Sequence, residues 1–154
     1  MQPVFSNAIQ GKAPSMRHPQ AGSVLLEALV AILIFSVGIL AVVGMQATAV
    51  KAAADARHRS EAALLANELL GQMWVTNRTT TTLQTNFQGS SGSGGTYYNN
   101  WYTNVQSALP GADTNPPTVT IDSAGIVTIV VLWKLPSAAA SASAHNYTLV
   151  AQVK

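Results

Sequence analysis

Gly22-Ser23-Val24-Leu25-Leu26-Glu27-Ala28-Leu29-Val30-Ala31-Ile32-Leu33-Ile34 opens a stretch with no further charge until Lys51. Residues 24–45 are apolar apart from Glu27, Ser36, Gly38 and Gly44. As a helix they span roughly 33 Å, enough to cross a hydrocarbon core of about 30 Å. A single segment in lipid must satisfy its own backbone hydrogen bonds, so helix is the expected state. Glu27 stands at the front of this run. A carboxylate beside a membrane-length apolar segment is costly, which makes it a functional candidate by default. The plainer reading is a glutamate snorkelling at the membrane interface.

Working toward the N-terminus, residues 1–22 hold Pro3, Pro14 and Pro19 and show no apolar periodicity, so they read as a flexible leader carrying Lys12 and Arg17. Toward the C-terminus the helical character meets no proline until well past Trp74. Residues 47–59 are alanine-rich and charged, and Lys51 and Asp55 are spaced to pair on one helical face. From Ala62 the pattern turns amphipathic: Ala62, Leu65, Leu69 and Met73 share a stripe, with Leu70 and Trp74 beside it. A continuous helix over residues 23–74 is roughly 78 Å long, more than an ordinary globular domain uses.

Residues 77–100 read as a break whose Gly/Ser tract, 89–95, is a flexible loop. Trp101, Val105 and Leu109 predict a short helix stopped by Pro110-Gly111. Residues 118–122 alternate and pass through Asp122-Ser123-Ala124-Gly125 into 126–135, a hairpin signal. Residues 146–153 predict a third strand, with Tyr147, Leu149, Ala151 and Val153 on one face, after a Ser/Ala-rich loop at 136–144. The expected class is α+β: a long N-terminal helix, membrane-spanning in its first half, packed at its C-terminal half against a small antiparallel sheet.

The quoted stretch resembles the processing and assembly motif of type IV pilins and the related type II secretion pseudopilins. The continuation Glu27-Ala28-Leu29-Val30-Ala31-Ile32-Leu33, and 59–70 further on, resemble the PilV-type minor pilins in particular. In that family a prepilin peptidase cuts after a glycine on the cytoplasmic side, the new N-terminus is methylated, and the fifth mature residue is nearly always glutamate. The resemblance therefore implies cleavage between Gly22 and Ser23, N-methylation of Ser23, and an assembly role for Glu27. Ser23 stands where the family usually has phenylalanine or methionine. The strong part of the resemblance covers Gly22 to about Trp74. It implies a cleaved leader at 1–22, a transmembrane and filament-core helix at 23–46, and a periplasmic head at 47–154. The implied partners are the major pilin, other minor pilins, the prepilin peptidase and the inner-membrane assembly platform. The implied location is the bacterial inner membrane before assembly and the pilus afterwards.

Physical chemistry gives Glu27 a task within that picture. It would lie about 6 Å along the helix axis from the new terminus. An α-amine with an ordinary pKa near 8 stays cationic, methylated or not. In a stack of helices one subunit's amine meets a neighbour's Glu27, offsetting the desolvation of both charges. Gly38 and Gly44 interrupt the apolar helix, either as points of flexibility or close packing during assembly or as glycines tolerated in a membrane helix.

Composition narrows the alternatives. The chain has 154 residues, eight Lys or Arg and six Asp or Glu. Without Lys12 and Arg17 the side-chain charges balance, so nothing points to nucleic acid. There is no cysteine, hence neither a disulfide framework nor a thiolate metal site; many major pilins carry a C-terminal disulfide, so its absence favours a minor subunit. His18, His58 and His145 show no metal spacing, and His58 reads as a surface histidine. No catalytic order, phosphate loop or cofactor motif is visible, and the expectation is a non-enzyme without cofactor or metal. Asn77-Arg78-Thr79 and Asn146-Tyr147-Thr148 match glycosylation sequons, a frequent coincidence. Tyr97, Tyr98, Trp101 and Tyr102 read as the lid of a small core rather than a ligand surface, and Trp74 and Trp133 as core.

Three other readings remain open on sequence alone. A minor pseudopilin of a type II secretion system shares the leader and helix. A conventionally secreted binding protein or enzyme would be cut after Ala49, in the small-x-small text Ala47-Thr48-Ala49. An uncleaved signal anchor is the third, because positive charge lies on both sides of the span.

Overall fold

A computed structural model describes residues 21–153. The chain forms two compact units, one ending at Gln46 and the other beginning at Ala47. The first helix, α1 (Ala21–Val75), contributes to both.

In the first unit α1 is the whole of the described structure. From Val24 to Met45 every large apolar side chain is exposed. The most apolar window has a mean hydropathy of 2.8, and by length and composition this is the one helix among the described residues suited to cross a membrane. Ser36, the hydroxyl in mid-span, satisfies itself by donating to the Ile32 carbonyl at 2.7 Å. The chain is already helical at Ala21, ahead of the expected start at Ser23.

The second unit contains the remaining elements: α2 (Thr80–Phe87), β1 (Gly89–Ser90), β2 (Ser93–Gly94), α3 (Thr96–Ala108), β3 (Thr118–Ile121), β4 (Ile126–Trp133) and β5 (His145–Gln152). The strands form one antiparallel sheet in the order β2-β1-β3-β4-β5. Alternation along β4 sends Val127, Ile129, Val131 and Trp133 into the core. There they meet Ala62, Leu65, Ala66, Leu69 and Met73, the expected stripe of α1, together with Tyr98, Trp101 and Val105 of α3. The class is α+β, with the C-terminal part of α1 packed on the sheet.

Residues 77–100 differ from the expected flexible break. Thr76 donates to the Gln72 and Met73 carbonyls, each at 3.1 Å, closing the last turn of α1. The Asn77 side chain then accepts the Thr79 amide at 3.0 Å, an Asx turn that redirects the chain into α2. Leu83 and Phe87, four residues apart, are the buried side of α2. The Gly/Ser tract is a tight hairpin: Ser91 and Gly92, at φ 51 and φ 79, form the two-residue turn between β1 and β2. Gly89 has no room for a side chain, because an added Cβ would run into the Tyr98 ring.

The expected short helix is α3, beginning at Thr96 rather than near Trp101. It ends before Pro110-Gly111, where Gly111 takes φ 72. The β3–β4 turn forms where expected. Asp122 Oδ1 accepts the amides of Ala124 and Ile126, and Gly125 supplies φ 76.

Candidate functional site

Gly22, Ser23, Glu27, Gly38 and Gly44 all lie on α1 in the first unit. Ser23 and Glu27 are four residues apart and share a helical face, about 6 Å apart along the axis. Glu27 is exposed. Continuing by helical spacing from Glu27, the same face carries Ala31, Ile34, Gly38 and Met45. A Cβ at Gly38 or Gly44 would meet nothing within 4 Å, so neither glycine is required by packing among the described residues. Gly38 opens an apolar notch bordered by Phe35, Ile39 and Val42. An exposed apolar cylinder of this extent needs lipid or protein around it. Its chemistry is therefore that of an insertion or assembly surface bearing one carboxylate near its start.

The second unit holds a polar cluster that the sequence reading did not assemble. Asp55, on α1, is joined to the end of β4 and the start of β5 rather than to Lys51. Its Oδ1 accepts the Trp133 indole N–H at 3.2 Å and lies 3.2 Å from His145 Nδ1. The His145 ring stacks on Trp133, with centroids 5.8 Å apart at 17°. The sheet register produces this directly, since Trp133 is paired with His145. The available signal was the alternation of β4, which puts Trp133 on the core face; the partner on α1 had none.

The aromatic group is a lid, as expected. Tyr98 and Trp101 are buried, and Tyr102 is packed against the core. Trp101 donates to the Leu65 carbonyl at 2.9 Å, and Tyr98 donates to the Pro117 carbonyl at 2.7 Å. Burial raises the Tyr98 phenol above its ordinary value of 10.0, and the Tyr102 phenol adds to this while the Gly92 backbone opposes it. Tyr97 stacks on Phe87 at 4.5 Å with its outer side open.

Trp133 is core, but Trp74 is not: it is 46% exposed, with the Arg78 guanidinium 5.8 Å from its ring centroid. His58 also departs from a surface role, being half-buried with Nδ1 enclosed and unpartnered. Among the described residues no group of three His, Asp or Glu is placed to hold a metal.

The architecture is pilin-like: one long apolar N-terminal helix followed by a small antiparallel sheet. A scan against protein-family models, a search of curated proteins and a search of solved structures each find no match to this chain.

Proposed function

We propose that this chain is a minor pilin, a structural subunit that takes part in assembling or priming a type IV pilus. The observation that carries this reading is Glu27, exposed at the start of a helix whose apolar side chains from Val24 to Met45 are all uncovered. A prepilin peptidase removes the leader after Gly22. The new Ser23 terminus is methylated, and the subunit waits in the inner membrane with its head in the periplasm. On entry into the filament, the lipid around the helix is replaced by helices of the major pilin and other minor pilins. Glu27 then pairs with the terminal amine of a neighbour, so that neither charge is left alone in an apolar surrounding.

Two substitutions separate processing from assembly. Gly22→Leu puts a bulky group where the peptidase needs a small one, and the protein retains its leader on a mass measurement of membranes. Glu27→Ala is processed normally but is depleted from sheared filaments. A processed Gly22→Leu protein would place the cut elsewhere, and normal incorporation of Glu27→Ala would remove the pairing.

A further inference from the structure

We propose that Asn77 is the acceptor for an N-linked saccharide, taken from a lipid-linked glycosyl donor outside the cytoplasm.

The chain carries two Asn-x-Thr sequences, Asn77-Arg78-Thr79 and Asn146-Tyr147-Thr148. As sequence they are equivalent, and the fold separates them. Asn146 and Thr148 lie within β5, where they pair with Leu132 and Val130 of β4. A transferase bends its acceptor segment around the reacting nitrogen, and bending β5 means opening that ladder. Residues 77–79 belong to no helix or strand. They link the end of α1 to the start of α2, and all three are exposed. An enzyme can engage such a connection without unpairing a sheet or emptying a core.

The Asn77 side chain is held in a way that leaves its nucleophile unspent. A backbone N–H is met by the oxygen end of a carboxamide, so the Thr79 amide, donating at 3.0 Å, identifies Oδ1. The turn uses Oδ1, and Nδ2 is the end that reacts. The Thr79 hydroxyl, the other group that defines the acceptor sequence, donates to the Thr82 hydroxyl at 2.7 Å on the exposed side of the turn. In the transfer, Nδ2 attacks the anomeric carbon of an oligosaccharide carried on a polyprenyl pyrophosphate. The nitrogen–carbon bond forms as the carbon–oxygen bond to pyrophosphate breaks. The pyrophosphate leaves with the electron pair, and one Nδ2 proton passes to a base of the transferase.

The surroundings suit the product. Trp74 and Val75, just before Asn77, are 46% and 85% exposed. Trp74 stays this open even with the Arg78 guanidinium 5.8 Å from its ring centroid. The carbon–hydrogen face of a sugar ring packs on an indole while its hydroxyls face water, so a saccharide on Asn77 gives this end of α1 a polar cover. The inference rests on the proposed function only for putting residues 47–154 outside the cytoplasm, where such donors are used.

The test is the intact mass of the full protein isolated from membranes of the organism that makes it, with fragmentation of the peptide containing Asn77. That peptide should be heavier by a whole number of saccharide residues. Asn77→Asp keeps an oxygen for the Thr79 amide but has no Nδ2, so the increment is lost and the turn is kept. Thr79→Ala also loses it, whereas Thr79→Ser and Asn146→Gln retain it. An unmodified Asn77, or an increment that survives Asn77→Asp, overturns the proposal; the latter puts the saccharide elsewhere, as on the hydroxyls of residues 79–82. The same mass gives the first residue of the chain. A chain starting at Val50 with the increment on Asn77 would end the pilin reading and keep this one, since both routes export the domain. A chain starting at Ser23 without the increment would do the reverse.

Discussion

At the residue scale, Asp55 and Tyr98 carry the most specific polar work in the second unit. Asp55 gives the buried Trp133 indole its partner and holds His145 against it. Asp55→Ala leaves that N–H unsatisfied and costs about 1–3 kcal/mol. Chemical unfolding of the full chain in detergent should show this as a lower midpoint, whereas Lys51→Ala changes little. Tyr98 gives the molecule an alkaline limit. Its phenol is raised by burial, so the folded state holds the proton more tightly than the unfolded one. The resulting stability is intact below a pH of about 10 and is lost as pH rises through the folded value. Melting temperatures of Tyr98→Phe should fall less steeply above pH about 10 than those of the parent; equal slopes would contradict this. Neither residue's partner was legible in sequence. Asp55 had a visible neighbour at helical spacing, Lys51, but its actual partners lie on strands far along the chain. Glu27 was legible because its meaning depends only on the apolar residues beside it.

At the scale of elements, regular periodicity transferred well and isolated anchors did not. The α1 stripe, the β3–β4 turn and the alternation on β5 follow from local patterns. Helix α2 was hidden because a threonine run is a poor helix former and only Leu83 and Phe87 mark its buried side. Tertiary burial of those two side chains decides the matter. Trp74 was misplaced for a related reason: it sits one step off the stripe, and the helix wall turns it outward. The glycines of the β1–β2 hairpin read as looseness, yet Gly89 is there because Tyr98 fills the space above it. Gly89→Ala forces that ring to move and destabilises by about 1–3 kcal/mol. Gly71→Ala, on open helix surface, should instead stabilise by up to about 1 kcal/mol. Thermal melts of the two variants, shifted in opposite directions, check the argument; a neutral Gly89→Ala would refute it.

At the scale of the whole molecule, an apolar segment built to be covered by something else is joined in sequence to a domain with its own core. Side-chain charge outside residues 1–22 balances, and the domain's solubility comes from hydroxyl and amide groups. That combination suits a subunit that is held in a membrane and later exchanged into an assembly. The identity of the covering is a matter of processing and partners, which neither local pattern nor packing encodes. The most direct measurement is the N-terminal sequence and intact mass of the protein isolated from membranes. The account predicts a chain starting at Ser23 and carrying a methyl group. A chain starting at Val50 would make this a released exported protein and leave Glu27 no part in any assembly.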